Sequence, residues 1–298
     1  TAFADNVSIL RRGKYVGGGK VASMSIKDMS HAMMGEAPTV NERVRKQTKQ
    51  TPVMTLRGVK AQDRTGLKTI AIDDVTLNTG EVLGIAGVSG NGQMELMEIL
   101  TGQRHMESGE IAVNGTPYGA TRAEARAHAF RYLPEEPLRN ACAPKMSVAE
   151  NLAFRMFDAG KDGKAAFWKD GKAIAKNAID LIKTFNVKTT SPAAPIAALS
   201  GGNVQRAVLA RELTGEVNAL IVSNPCFGLD FAAVSAIRDR LIEARNNGTA
   251  ILLISEDLDE IMELSDRILV MSEGRIAFET PIESADVTEI GQHMAGHG

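Results

Sequence analysis

At residues 199–203 the sequence reads Leu199-Ser200-Gly201-Gly202-Asn203, and it runs directly into the stretch from Val204 to Leu213. Two glycines after a serine allow a tight turn, and serine is a favoured N-cap residue. The apolar residues that follow recur at helical spacing, which predicts that a helix begins at this turn. The amides of such a helix start form an anion site. Taken alone, the Ser-Gly-Gly triplet is also compatible with an ordinary helix start.

A second glycine-rich stretch lies between the short apolar run Val82 to Ala86 and an amphipathic segment from Glu95 to Leu100. A buried strand, a glycine-rich loop and a helix in this order predict a phosphate-binding loop with inward-facing amides. The predicted loop consists of Gly87, Val88, Ser89, Gly90, Asn91, Gly92, Gln93 and Met94. Such loops end in Lys-Ser or Lys-Thr, because lysine contacts the phosphates and the hydroxyl binds magnesium. Since Gln93 and Met94 occupy those positions, we expect the backbone cradle to remain and the charge and metal ligand to be lost.

Composition and charge narrow the functional classes. The 298 residues, 44% hydrophobic and 23% charged, can bury one large core or two smaller ones. A net charge of −2 gives no electrostatic reason to expect nucleic acid or an anionic membrane as a partner. Cys142 and Cys226 fit neither a disulfide framework nor a zinc site. The longest apolar stretches, such as Ala250 to Ile254, are far below the ~20 residues of a spanning helix, so any membrane role is expected to come through a partner.

Periodicity and turn signals predict several further elements. Alternating apolar residues predict strands over Val53 to Val59 and Ile70 to Leu77. The pattern Ser147-x-x-Glu150 is a capping box before an apolar run. Apolar residues at helical spacing predict a helix from Ala173 to Phe185, and the charged segment from Lys161 to Lys172 before it predicts a solvated connector.

The stretch at 199–203, with Gln205-Arg206 after it and a buried strand about twenty residues on, resembles the signature of ATP-binding cassette (ABC) ATPases. The Asn-bearing form resembles bacterial sugar and nucleoside importers. The resemblance implies an α/β fold of the P-loop NTPase type with a β-rich subdomain and an inserted helical subdomain at about residues 147–215. It also implies ATP and Mg²⁺ as cofactors, bound mainly at a partner cassette and weakly or not at all here.

Four positions that the chemistry of this family needs are changed together. Besides Gln93 and Met94, the strand at 219–222 ends in Ser223 and Asn224, where the family places Asp-Glu, and Glu256 stands where active members carry histidine. We therefore expect no intact catalytic residue and no metal site in this cassette. Because ABC dimers build each ATP site from one cassette's loop and the other's signature, this cassette is expected to complete its partner's site in trans.

Two other stretches match family positions. Glu135 stands in the Q-loop, where other cassettes place glutamine, although an acidic turn before Pro137 is an alternative interpretation. The residues that resemble the D-loop, which couples two composite sites, are Gly228, Leu229 and Asp230.

The resemblance also implies partners and a location. The expected partners are the first cassette of the same protein or a second copy, integral-membrane permease subunits and, indirectly, an extracytoplasmic substrate-binding lipoprotein; nucleic acid is not expected. The chain would then lie at the cytoplasmic face of the inner (plasma) membrane, held there by the permease. Two alternatives stay open: a soluble tandem-cassette ATPase, and a non-catalytic scaffold or regulator whose signature is a relic.

The beginning of the sequence repeats its end. Residues 4–14 align without a gap to residues 265–275, 261 positions further along, and the same offset aligns residues 26–35 with 287–296. A strand, a glycine turn, a second strand and a short helix therefore occur twice. We expect residues 1–35 to be the C-terminal tail of a first ABC cassette, 36–51 a linker and 52–298 a second, complete one. The basic and polar residues at 41–50 favour a solvated linker over a nucleic-acid-binding arm.

Overall fold

The computed structural model describes residues 4–11, 14–25, 29, 32, 44–46, 50–63, 65–156 and 171–296. Three predicted segments lie wholly or mostly outside the described residues: residues 26–35 of the first copy of the repeat, apart from 29 and 32; most of the linker at 36–51; and the connector at 161–172 up to residue 170.

Strands predominate in the first part of the described chain, and helices become frequent from residue 122 onward. The strands are β1 (Asn6–Arg11), β2 (Lys14–Lys20), β3 (Pro52–Gln62), β4 (Thr69–Asn78), β5 (Val82–Ala86), β6 (Ser108–Val113), β7 (Thr116–Pro117), β8 (Phe130–Leu133), β9 (Ala219–Ser223), β10 (Ala250–Ser255), β11 (Arg267–Ser272) and β12 (Arg275–Pro281). The α-helices are α1 (Gln93–Leu100), α2 (Arg122–Ala127), α3 (Pro137–Asn140), α4 (Val148–Leu152), α5 (Gly171–Thr184), α6 (Gly201–Glu212), α7 (Phe231–Asn246), α8 (Leu258–Leu264) and α9 (Val287–Met294).

One large mixed sheet carries the fold. Its strand order is β7-β6-β3-β4-β12-β11-β5-β10-β9-β8. Neighbouring strands from β11 to β8 run parallel, whereas β3 pairs antiparallel with both β4 and β6. The helices cluster between β8 and β9 in sequence and after β9, so a β-rich part and a helical part share the sheet. The predicted α/β fold is confirmed.

The parallel strands are buried on both faces, and their alternation separates two cores. In β5, Val82 and Ala86 belong to the core beneath α6 and α7, whereas Leu83 and Ile85 belong to the core that contains α1. Fully burying a valine, leucine or isoleucine side chain contributes roughly 1.5–3 kcal/mol. Gly84, between them, has no room for a side chain: a Cβ there would lie 2.2 Å from Ser265 Oγ. The end of α8 therefore packs directly on the backbone of the central strand.

The short sheet near the beginning of the chain matches the hairpin near its end. β1 and β2 have the same bounds as β11 and β12 once 261 is subtracted, and both hairpins pair the first residue with the last, Asn6 with Lys20 and Arg267 with Pro281. Both have a register shift at the same place, between Ile9 and Leu10 in one and between the equivalent residues in the other. A short 3₁₀ helix follows each hairpin. The sequence repeat therefore has a matching backbone.

Residues 44–46 contact the body of the chain. Arg45 donates hydrogen bonds to the carbonyls of Ser265 and Glu263, at 2.5 and 2.7 Å, and pairs with Asp266 at 3.1 Å. Arg245 binds the same carboxylate through two nitrogens, at 3.1 and 3.0 Å. Polar composition predicted a solvated segment. Composition alone does not reveal that Arg45 binds backbone carbonyls at the end of α8, which have no partner within that helix.

Candidate functional site

The candidate site lies at one edge of the parallel strands. The carboxyl ends of parallel strands meet at the same edge of a sheet, which is where α/β proteins bind ligands. The glycine-rich loop follows β5, Glu135 follows β8, Asn224 follows β9 and Glu256 follows β10. Four stretches that are far apart in the sequence are thus brought to one edge.

The glycine-rich loop has a backbone that only glycine adopts easily. Gly90 and Gly92 have φ values of 84° and 109°, in the left-handed region, and α1 begins directly after Gly92. A Cβ on Gly92 would lie 2.6 Å from Met271 Cε and 2.8 Å from Ile70 Cδ1. The loop thus leads into a helix N-terminus with its amides unpaired by the helix, as a phosphate site requires. The helix starts two residues earlier than periodicity predicted, since the first turn lacks apolar spacing.

The interior of this loop is occupied by a neutral side chain. Gln93 is 7% exposed, and its Nε2 donates to the carbonyl of Val88 at 3.3 Å. The amide lies so close to Gly87 that a Cβ there would be 2.2 Å from Nε2. Met94 is 52% exposed and carries no hydroxyl. A cation does reach the rim, where Lys68 Nζ donates to the carbonyl of Gly90 at 3.3 Å, a contact that sequence patterns gave no reason to expect.

The glycine-rich loop also forms hydrogen bonds with the β11–β12 turn and with α9. The carbonyl of Asn91 accepts from the amide of Gly274 at 2.9 Å, and its side-chain oxygen accepts from the amide of Glu273 at 3.4 Å. Asn91 Nδ2 donates to the carbonyl of Met294 at 3.4 Å. One side chain therefore connects the loop to the β11–β12 turn and to α9.

Asn224 contacts two other residues at this edge of the sheet, Glu135 and Glu256. Asn224, with φ 42°, donates from Nδ2 to Glu135 Oε2 at 3.1 Å and accepts from the amide of Glu256 at 3.0 Å. Its own amide donates to the carbonyl of Ile254 at 2.8 Å, and Ser223 before it is 5% exposed. Both ends of the Asn224 amide are engaged, so it links the loops after β8, β9 and β10. The only sequence signal for this link is that asparagine, unlike a carboxylate, has both a donor and an acceptor.

The LSGGN stretch forms an exposed helix start. Ser200 is the N-cap of α6, as predicted, but its hydroxyl makes no hydrogen bond to the helix backbone. Instead Ser200 Oγ accepts from Asn203 Nδ2 at 2.8 Å, while Asn203 Oδ1 accepts from the amide of Lys188 at 2.8 Å. The N-cap position predicted for Ser200 is therefore confirmed, and its hydroxyl is held by the side-chain amide of Asn203. Gly202 packs closely on α7, since a Cβ there would lie 3.1 Å from Ala233 Cβ.

The stretch at 228–230 lies beside this helix start. Gly228 has φ 69°, and Asp230 caps α7 by accepting from the amide of Ala233 at 2.9 Å. A Cβ on Gly201 would lie 4.0 Å from Leu229 Cδ2. Phe227, at 75% exposed, presents a large aromatic surface next to it. The signature-like and D-loop-like stretches therefore form one continuous exposed surface.

A groove of about 590 Å³ runs between this surface and the loop after β8. Its lining includes Pro137, Leu138, Val204 and Leu229, with Glu135 and Asn224 at its polar edge. The groove thus connects the Glu135 loop with the start of α6.

The site suits phosphate groups better than a metal ion. The glycine positions that a Cβ would obstruct, and the amides at the start of α1, are the features of a phosphate cradle. No group of three or more His, Cys, Asp or Glu that could hold a metal ion occurs among the described residues. Met94 has no oxygen that could bind Mg²⁺, and the side-chain oxygen of Asn224 already accepts a hydrogen bond from the amide of Glu256.

A glycine-rich anion loop between a central parallel strand and a helix defines a P-loop nucleotide-binding protein. The sequence model of the ABC transporter family matches residues 71–226. The chain belongs to the ABC transporter family, which binds ATP.

Several import ATP-binding proteins are similar to the chain. It is 36% identical over its whole length to the glucose import ATP-binding protein of Haloferax volcanii, of which it covers 54%. It is 32% identical over 99% of its length to the nucleoside import ATP-binding protein of Lactococcus lactis subsp. cremoris, covering 58% of it. The ribose import ATP-binding protein of Clostridium perfringens is 33% identical over 97% of the chain and covered to 57%. The chain thus spans little more than half the length of these curated relatives.

Solved structures agree on the fold. A dimeric ATP-binding cassette with bound ADP and Pi aligns with a TM-score of 0.63 at 18% identity, covering 77% of this chain and 98% of that one. A nucleotide-free cassette of an ABC transporter aligns with a TM-score of 0.64 at 18% identity, covering 83% and 96%. Within the described residues, we find no helix with the length and apolar character needed to cross a membrane.

Proposed function

We propose that this chain is an energy-coupling ATP-binding part of an importer for simple sugars or nucleosides. Its own nucleotide site does not hydrolyse ATP; its signature, Ser200 to Asn203, completes the ATP site of a partner cassette. Support for the importer comes from relatives named for glucose, nucleoside and ribose import.

The observation that supports the loss of hydrolysis is the set of hydrogen bonds at the carboxyl ends of the parallel strands. Asn224 occupies the end of β9 and is engaged by both Glu135 and Glu256, while Gln93 fills the loop where a lysine would extend. Hydrolysis of ATP needs positive charge on the phosphates and a group that orients water. Neither is supplied at these positions. The backbone amides still favour a phosphate, so weak nucleotide binding that does not require Mg²⁺ is expected.

The proposed action in trans rests on exposure. Ser200 and Gly201 are exposed at the start of a twelve-residue helix, beside the exposed Phe227. A helix N-terminus with a hydroxyl and two glycines can approach an anion closely. The anion would be the γ-phosphate of ATP, with its Mg²⁺, held by the partner cassette.

We place the partner cassette in the same protein. The matched hairpins at residues 6–20 and 267–281 support residues 1–35 as the tail of one cassette and 52–298 as another, joined by the linker 36–51. A second copy of the chain is the alternative partner.

Contact with a permease would bring the chain to the cytoplasmic face of the membrane, with a substrate-binding lipoprotein acting on the permease from the other side. The groove beside Glu135 and the helices α4 and α5 of the helical part are the proposed contact. Crosslinks from an assembled complex that avoid both would refute this placement.

The decisive test compares two substitutions in the complete protein with its permease. Ser200→Arg fills the signature turn with a bulky cation, and we expect it to abolish ATP hydrolysis and transport. Gln93→Lys restores a lysine to the loop, yet should change neither, because Ser223 and Asn224 still provide no carboxylate.

Ser284→Arg, on an exposed 3₁₀ helix outside the site, is the matched control and should retain activity. Normal hydrolysis in Ser200→Arg would mean that the signature is a relic and would favour a scaffold. Steady hydrolysis by the chain alone that Gly92 and Gln93 substitutions abolish would contradict the loss of catalysis.

A further inference from the structure

The glycine-rich loop has a positive charge beside it rather than inside it. Its interior holds the neutral Gln93, which is 7% exposed and donates from Nε2 to the carbonyl of Val88 at 3.3 Å. The amide of Asn91 donates to the same carbonyl at 3.2 Å. The phosphates of a nucleotide carry several negative charges, whereas amides at a helix N-terminus supply only partial positive charge. A full positive charge must therefore reach the phosphates from outside the loop.

Lys68 lies at the rim of the loop. Its Nζ donates to the carbonyl of Gly90 at 3.3 Å. A Cβ added to Gly90 would meet no atom within 4 Å, so the space over this residue is open. An ammonium group has three N–H donors, and the bond to Gly90 uses one of them. The ammonium group of Lys68 can therefore bind a phosphate oxygen in the open space while it stays at the loop.

The turn that carries Lys68 is built around one carboxylate. The side chain of Asp63 accepts from the amides of Thr65, Leu67 and Lys68 at 3.1, 3.0 and 3.2 Å. It also accepts from the hydroxyl of Thr65 at 2.7 Å. The amide of Asp63 donates to the carbonyl of Lys68 at 2.8 Å. These bonds close the turn between β3 and β4, so the backbone of Lys68 has a fixed position although its side chain is exposed.

Backbone contacts also fix the start of β4 relative to the loop. The amide of Ala71 donates to the carbonyl of Gly274 at 2.7 Å, and the amide of Gly274 donates to the carbonyl of Asn91 at 2.9 Å. A Cβ on Gly274 would lie 2.5 Å from the carbonyl oxygen of Thr69, the residue after Lys68. One residue of the β11–β12 turn thus joins β4 to the glycine-rich loop. The approach of Lys68 to the loop follows from this backbone packing and not only from its own hydrogen bond.

We propose that Lys68 supplies, from the β3–β4 turn, the positive charge that position 93 lacks, and that it binds the phosphates of a nucleotide held by the loop. The inference rests on the proposed function, which expects weak nucleotide binding at this loop. The ligand class is a nucleoside diphosphate or triphosphate in its metal-free form, because lysine binds phosphate as a point charge. Mg²⁺ neutralises the same phosphate oxygens and finds no ligand oxygen at Met94. It should therefore compete with Lys68.

Titration calorimetry of the chain with ATP, in EDTA and at constant ionic strength, tests this role. The unmodified chain should bind ATP, and Lys68→Met should weaken binding about tenfold, the loss typical of a hydrogen bond to a charged group. Lys68→Arg keeps the charge and should restore most of the affinity. Replacing EDTA by excess Mg²⁺ should weaken binding by the unmodified chain, with a smaller effect on Lys68→Met.

Three further variants separate Lys68 from other causes. Lys60→Met removes another exposed lysine, on β3, and should leave binding unchanged. Ser89→Glu places a negative charge in the loop and should abolish binding, which locates the ATP. Gln93→Lys restores a cation inside the loop. In that background Lys68→Met should cost less affinity than it does alone, because two charges that act on the same phosphates are not additive.

The results that would overturn the inference differ from those that would overturn the proposed function. Equal affinity of the unmodified chain and Lys68→Met would remove the role of Lys68 and leave the proposed function intact. Equal losses in Lys68→Met and Lys60→Met would assign the effect to net charge, and binding that survives Ser89→Glu would place the ATP elsewhere; either result overturns the inference. Should the unmodified chain show no affinity for ATP, the expected weak binding fails together with the inference. Action in trans is tested separately, by Ser200→Arg.

Discussion

Replacing Gly92 by alanine tests the geometry of the glycine-rich loop. Gly90→Ala is the matched control, because the same substitution there meets no neighbouring atom. Both residues have left-handed φ values, 109° and 84°. An alanine in that region costs about 1–2 kcal/mol of unfolding free energy. At Gly90 nothing lies within 4 Å of the new Cβ, so that strain is the whole expected cost.

At Gly92 the new Cβ meets three atoms. Met271 Cε lies at 2.6 Å, Ile70 Cδ1 at 2.8 Å and the Gly274 backbone at 3.1 Å. Both side chains are buried, at 0% and 2% exposed, so neither can swing into solvent. Overpacking a filled core adds about 1–3 kcal/mol, which gives about 2–5 kcal/mol in total.

Urea unfolding of both variants, followed by far-ultraviolet circular dichroism, measures the difference directly. The Gly92→Ala protein should be less stable than the Gly90→Ala protein by about 1–3 kcal/mol. Equal costs would refute the reasoning, because they would mean that the loop relaxes away from the β11–β12 turn.

Three further predictions concern other parts of the molecule. Burial raises the pKa of the Cys142 thiol to about 11, and also raises that of Cys226, so alkylation at neutral pH should be slow in the folded protein and rapid in urea. Burial raises the pKa of Tyr118 from 10 to about 12, so the folded state favours the protonated phenol. Its contribution to stability is complete below pH 10 and is lost as the pH rises toward 12. Tyrosinate absorbance and unfolding measurements at each pH would detect this loss. Arg45→Ala should detach the segment at 44–46 from Asp266 and increase its proteolysis, with a stability loss of about 1 kcal/mol, whereas Arg45→Lys should recover only part of the contact.

Local patterns predicted the elements that carry the site. The strand at Val82–Ala86 has the predicted bounds, because a short apolar run between turns leaves little freedom. The capping box at Ser147 and Glu150 is present, because both partners lie within one turn. The repeat predicted a second hairpin, and its backbone matches. In each case the element is set by residues close together in the sequence, or its sequence occurs twice in the chain.

Contacts between distant loops could not be predicted in this way. Asn224 meets Glu135 and Glu256 only because the strands before them are neighbours in the sheet. The presence of glutamine rather than lysine at position 93 predicted the loss of a charge. It did not predict that the side-chain amide would turn inward and occupy the loop.

The position of β5 in the sheet has a consequence for how the protein is made. Its two neighbours, β10 and β11, both lie far downstream, and the amide of Val82 is hydrogen-bonded to Asp266, 184 residues later. At roughly 5–20 residues per second, synthesis of that interval takes about 10–40 s. Throughout it, the strand that leads into the glycine-rich loop emerges without partners on either side. The nascent chain therefore exposes an apolar strand with two open edges for seconds, which makes this segment a natural client for ribosome-associated chaperones.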